Sequence, residues 1–196
     1  MKTLVPSLIV IFTLNAVYCQ QPFPTFNDNP HWNVDETFYT LESEVVQYGY
    51  EIDTNMCGFV YSKVFNHLFI RVEGNKVFMQ STNDCSEAEQ LIYDFDLTIG
   101  EKILLDPYSG GGYDFVELMV DSIDTVDYLG VERKRLALAF DPCGGYVDTN
   151  GYAITHWIYG IGSDDHPFWP MYSECSAGEM QYYLKCFDSS AIQLYG

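Results

Sequence analysis

An antiparallel all-β fold, either a barrel or a two-sheet sandwich, is what this sequence predicts, and three observations predict it. Apolar and polar residues alternate in short runs, as where Leu68, Ile70 and Val72 interleave with Phe69, Arg71 and Glu73. Turn residues punctuate those runs: Gly74-Asn75, Gly130 and Asn150-Gly151 each divide two β-rich stretches at hairpin spacing. No stretch carries the apolar stripe of an amphipathic helix, although residues 86–91 have room for one helical turn.

The chain opens with an address. Lys2 precedes an apolar run over residues 4–14, then small and polar residues lead to Cys19-Gln20-Gln21. This is the plan of a secretory signal peptide over residues 1–19. The run is shorter than the roughly 20 apolar residues a bilayer demands, and no second one follows, so no transmembrane segment is expected. Cleavage is placed after Cys19, with Val17 at the −3 position; the alternative is a lipoprotein signal acylated at Cys19, against which the bulky Tyr18 counts. Residues 20–33, rich in Pro, Asn and Phe, read as an extended lead-in, and residues 34–196 as one β-rich domain without repeats or linkers.

Within that domain the strands follow in order. Residues 60–65 form one, residues 68–73 the next, and Gly74-Asn75 turns the chain into residues 76–79. Leu91, Tyr93, Phe95 and Leu97 share a face opposite Asp94 and Asp96. After the Gly110-Gly111-Gly112 loop, Val116, Leu118 and Val120 resume the alternation. Gly130 separates residues 123–128 from residues 131–140, where Leu136, Leu138 and Phe140 lie on one side. Residues 152–158, 180–187 and 191–195 complete about ten strands. Strands joined by tight turns pair antiparallel, as a meander. That many must curl or split into two packed layers to bury their apolar faces.

Composition bounds the function. Of 196 residues, 28 are acidic and 9 basic, a net charge of −19 that excludes nucleic acid and anionic membrane surfaces as partners. An aromatic content of 16% excludes a disordered chain. Beyond the signal stand Cys57, Cys85, Cys143, Cys175 and Cys186. With no C-x-x-C pair and an oxidising destination, disulfides are expected rather than metal thiolates. Cys175 and Cys186 are the preferred pair, since one short hairpin brings them together; Cys57, Cys85 and Cys143 compete for a second bridge.

Residues that carry chemistry elsewhere lack their patterns here. His31, His67, His156 and His166 form no H-E-x-x-H spacing, and His67 and His156 lie in β-runs as structural histidines. Asp164, Asp165 and His166 have the makings of a cation site, but Pro167 and Pro170 make a solvated loop the simpler reading. Gly160-Ile161-Gly162-Ser163 lacks the G-x-S-x-G elbow of serine hydrolases and reads as a flexible corner. Asp94 with Asp96, and residues 148–151, fall short of a calcium loop and read as turns. Carboxylate pairs suit glycoside hydrolysis, yet 28 acids guarantee coincidental pairs. Arg133 and Arg135 share a strand face and expect acidic partners across the sheet. No catalytic, metal or cofactor site is therefore assigned. The late aromatics, chiefly Trp157, Trp169 and Tyr172, are the one candidate contact surface.

Several motifs, in order, bear a resemblance. Leu91-Ile92-Tyr93-Asp94-Phe95-Asp96-Leu97-Thr98-Ile99-Gly100-Glu101, Val120-Asp121-Ser122-Ile123-Asp124-Thr125-Val126, Arg133-Lys134-Arg135, Trp157-Ile158-Tyr159-Gly160-Ile161-Gly162-Ser163 and the closing Leu184-Lys185-Cys186-Phe187 resemble segments of secreted Bacteroidetes β-rich proteins. A weaker likeness covers Cys57-Gly58-Phe59-Val60-Tyr61-Ser62-Lys63-Val64. Such proteins usually carry a C-terminal type IX secretion sorting domain, which these residues lack. The resemblance implies a secreted β-module and no catalytic residue. The expectation is an exported, acidic, non-catalytic β-domain with a binding or envelope-associated role toward an extracellular ligand or protein. A lipocalin-like carrier is the alternative, and an extracellular hydrolase a more distant one.

Overall fold

A computed structural model describes residues 23–37, 44–64, 68–105, 115–128, 130–141, 153–164, 166–171 and 181–188. The fold is all-β, with two antiparallel sheets. Numbered in chain order, β1 (His31–Thr37), β2 (Glu44–Met56), β3 (Phe59–Val64), β4 (Leu68–Glu73), β5 (Lys76–Gln80) and β6 (Gln90–Asp94) run side by side, and β12 (Gln181–Asp188) pairs with β1 to make a seven-stranded sheet. The second sheet has five strands: β7 (Lys102–Leu105), β8 (Val116–Tyr128), β9 (Val131–Phe140), β10 (Ala153–Ile158) and β11 (Gly162–Ser163). Both are meanders, as tight turns require, and only β12 returns to pair with a strand distant in sequence. The two antiparallel layers fit the expected barrel or two-sheet sandwich.

Local chemistry accounts for the turns. Cys57 and Gly58, both at positive φ, make the two-residue link between β2 and β3. Gly74 turns β4 into β5 as the Gly-Asn signal predicts, so that Val72 faces Val77 and Arg71 faces Phe78. Two strands of 13 residues, β2 and β8, are each bent by a bulge, at Glu51 and at Asp121. An extra residue at Asp121 shifts the alternation by one, so Leu118 and Val120 point inward before it and Ile123 after it. That is why the two halves of β8 read as separate runs in the sequence.

One core joins the layers. Trp32, Val34, Val64, Ile70, Val77, Ile92 and Tyr93 from the seven-stranded sheet meet Leu105, Leu118, Val120, Leu136, Leu138, Phe140 and Trp157 from the other. Phe23 sits at its centre, stacked on Trp32 at 5.8 Å and Tyr93 at 5.7 Å between ring centroids. Buried polar tips are satisfied across the layers. Trp32 Nε1 donates to the Ile161 carbonyl at 3.0 Å, and Tyr93 Oη receives the Ser163 amide at 3.0 Å and donates to the Pro167 carbonyl at 3.0 Å.

Three expectations are corrected. The lead-in is not merely extended: Phe23 is buried in the core, residues Phe26–Asp28 make one turn of 3₁₀ helix, and β1 already begins at His31. Residues 86–89 form no helical turn before β6 starts at Gln90. The Gly160–Ser163 corner is packed rather than flexible, because a Cβ on Gly162 (φ +109°) would meet Phe23 and the Pro167 backbone at 2.9 Å. The Asn150-Gly151 turn, residues 191–195 and the signal segment lie outside the described residues.

Candidate interaction surface

With both inner faces spent on the core, the outer faces are left to meet other molecules, and they differ. On the seven-stranded sheet, Met56, Tyr61 and Phe69 form a small second core on the outside. The chain itself covers it. Cys57, at the β2–β3 turn, is bonded to Cys85, which ties the segment between β5 and β6 down onto this face. Gln80 Nε2 donates to the Asp84 carbonyl at 2.9 Å and helps hold that segment.

Arg71 is the keystone of this cover. Its guanidinium lies 4.4 Å from the ring centroids of both Phe59 and Phe78, a cation–π sandwich. Nε and Nη2 grip the Glu89 carboxylate at 2.8 and 2.6 Å, and Nη1 reaches Glu73 at 2.5 Å. Tyr61 Oη donates to the same Glu89 carboxylate. The Arg71 hydrogen bonds hold the Glu89 carboxyl below its ordinary range. Burial, then the Glu89 hydrogen bond, pushes the Tyr61 phenol up to about 12.

The outer face of the five-stranded sheet has no such cover among the described residues. Register brings Met119 on β8 opposite Ala139 on β9, and Ala139 opposite Ile154 on β10, while Leu104 on β7 lies diagonal to Met119. Leu104 is 59% exposed, Met119 38% and Ile154 47%, with Ala137 and Ala139 between them as a shallow furrow along β9. The row crosses four strands, about 14 Å at the usual interstrand spacing. Carboxylates rim it in ion pairs: Glu117 with Lys102 at 2.6 Å, Asp124 with Arg135 at 2.6 Å and Asp164 with His156 at 2.8 Å.

Positive charge elsewhere is similarly engaged. Lys63 pairs with Glu51 and Lys76 with Asp94, Lys134 Nζ donates to the Phe95 carbonyl at 2.8 Å, and Arg133 Nη1 donates to the Tyr159 carbonyl at 3.0 Å. Burial pulls the Arg133 guanidinium below its ordinary range. Each of these lysines and arginines thus has a carboxylate or carbonyl partner, and the excess carboxylates set the sign of the surface. Of the pair expected to share a face, Arg135 meets Asp124 across the sheet as anticipated, and Arg133 is buried.

The aromatic contact surface read from the sequence is not a surface. Trp157 is fully buried, its Nε1 donating to the Pro170 carbonyl at 2.6 Å. Trp169 is half-buried against His166, ring centroids 3.7 Å apart, and Tyr172 lies outside the described residues. Of the Asp164–His166 trio, Asp165 lies outside the described residues, and the other two part company. His166 is buried beside Tyr48 and Phe168, while Asp164 turns to His156. The Phe168 amide donates to His166 Nδ1 at 3.1 Å, and burial drives the imidazole well below its ordinary pKa, so it stays neutral. Asp94 caps the Asp96 amide at 3.0 Å and takes Lys76, a turn as expected; among the described residues no three His, Cys, Asp or Glu gather as metal ligands. Cys57 and Cys85 resolve the competition for a second bridge, and the Cys175–Cys186 pairing lies outside the described residues.

Sequence reading passed over the apolar row because its members come from four strands. The available signal was a broken alternation: Leu104 follows Ile103, and Ile154 precedes the inward Thr155 and Trp157. Compared with protein-family models, curated proteins and solved structures, the chain finds no match. Fold and surface define an all-β, disulfide-bonded, two-sheet module; among the described residues the chain buries Met56, Tyr61 and Phe69 on one outer face, where Val45, Ile52 and Phe59 stay exposed, and leaves Leu104, Met119 and Ile154 exposed on the other. Among the described residues no helix is long and apolar enough to cross a membrane.

Proposed function

We propose that the chain is an exported, acidic β-sandwich that works as a binding module, presenting the outer face of its five-stranded sheet. The observation that carries this reading is the aliphatic row Leu104–Met119–Ala139–Ile154, which no described segment of the chain covers, whereas Met56, Tyr61 and Phe69 on the other outer face are buried beside the Cys57–Cys85 bridge. The signal-like residues 1–19, the Cys57–Cys85 disulfide and the likeness to secreted Bacteroidetes proteins support export. An interior occupied by Phe23, Trp32, Tyr93, Phe95, Trp157 and Phe168, each almost wholly buried, speaks against a lipocalin-like carrier, which requires a hollow core.

The test is an array of glycans, lipids and polypeptides probed with wild-type protein and with Leu104→Asp/Ile154→Asp. Both substituted side chains are exposed, so unfolding stability should stay within about 0.5 kcal/mol of wild type. Ligands retained by wild type and lost by the double variant are expected. A binding profile identical for the two proteins would remove the face from the function.

A further inference from the structure

Building on that reading, we infer that the row on the five-stranded sheet receives a cationic amphipathic segment of another protein, its apolar side chains in the furrow along β9 and its Lys or Arg residues on the carboxylate rim. Shape comes first. Ala139 is the small residue between Met119 and Ile154, and Ala137 continues β9 between Ser122 and His156, the profile of a groove that takes one apolar helix face. The lining is aliphatic over Leu104, Met119, Ala139 and Ile154, and the exposed Phe115 immediately precedes β8.

Charge then selects the occupant. Glu117, Asp124 and Asp164 stand half-exposed at 56%, 51% and 40% around the row, and the side chains beside them, Lys102, Arg135 and His156, are already engaged in those pairs. A basic partner adds counter-charge to carboxylates that remain open to solvent. A second copy would bring another −19 to a face rimmed by acids, and phosphate-bearing surfaces meet the same repulsion. The same sign that repels these ligands steers a cationic one inward.

Three synthetic peptides of about 14 residues, roughly 21 Å as a helix, test this. One is an amphipathic Leu/Lys helix, one its Leu/Glu counterpart, and one a Ser/Lys chain of the same charge. Fluorescence anisotropy against the purified exported protein at about 0.15 M salt should show the Leu/Lys peptide binding about tenfold or more tighter than the Ser/Lys peptide, with the Leu/Glu peptide unbound. Leu104→Asp/Ile154→Asp should weaken the Leu/Lys peptide about tenfold although it adds two negative charges, which attraction by charge alone would turn into tighter binding. Leu104→Ser/Ile154→Ser serves the same purpose should the Asp variant fail to fold.

Equal affinity for the Leu/Lys and Ser/Lys peptides, or undiminished binding by the variants, overturns the inference. So does a dimer in sedimentation that the variants dissolve, because a second copy would then occupy the row. If arrays yield a face-dependent glycan or lipid while the Leu/Lys peptide does not bind, this inference falls and the binding-module reading stands. If nothing depends on the face, both fall.

Discussion

Two apolar clusters on the outer faces of this molecule sit in opposite circumstances. Met56, Tyr61 and Phe69 lie beneath a segment of the same chain, tied down by a disulfide and by Arg71 gripping Glu89 between two phenylalanine rings. Leu104, Met119 and Ile154 lie in the open, with ion pairs at the rim. The difference teaches where stability ends and recognition begins. Apolar groups covered by their own chain lower its folding free energy, whereas groups left in water do so only once another molecule covers them.

The comparison breaks most visibly at the disulfide. Cys57→Ala/Cys85→Ala opens a loop of 28 residues and should cost about 3.5 kcal/mol in denaturant unfolding, with peptide binding to the bare face unchanged. Equal stability with and without the bridge would mean that the covered face is not held by it. Arg71→Met should follow at about 2–3 kcal/mol, because it strips the partly buried Glu89 carboxylate of its guanidinium partner and leaves it the Tyr61 hydroxyl. A loss under about 0.5 kcal/mol would reduce the clamp to a surface ion pair.

A smaller effect sharpens the contrast between the core and both faces. The His166 imidazole has a folded pKa well below its ordinary value, so the unfolded chain takes up a proton near pH 6.5 that the folded chain refuses. Its contribution is fully present above that pH and fades as pH falls toward the folded value. Relative to His166→Gln, the wild type should lose stability as the pH falls from 7.5 to 5.5, on the order of 1 kcal/mol. Parallel stability curves for the two proteins would show that His166 ionises freely.

Much of the fold was legible in the chain and much of the surface was not. The β4–β5 hairpin could be read from Gly74-Asn75 between alternating runs, and β9 from Leu136, Leu138 and Phe140, since period and turn chemistry are local. Strand β2 escaped because Val45 and Gly49 blur its alternation and Glu51 bulges, although Val46, Tyr48 and Tyr50 turn inward. Trp169 and His166 misled because loop-like neighbours suggested exposure, and Trp157, though in a strand run, because it was grouped with the late aromatics; the returning Pro167–Met171 segment buries them wholly or in part. Burial depends on what packs above a residue, which no local pattern records.

By itself, then, the amino-acid order determined that this is an acidic, strand-rich protein of meandering connectivity, because alternation and glycine bends act over a few neighbouring residues. Only the tertiary structure decided that Cys57 meets Cys85, that Arg71 finds Glu89, and that Leu104, Met119, Ala139 and Ile154 line up in water. These are meetings between distant stretches, set by sheet register and by the shifts that single bulged residues introduce.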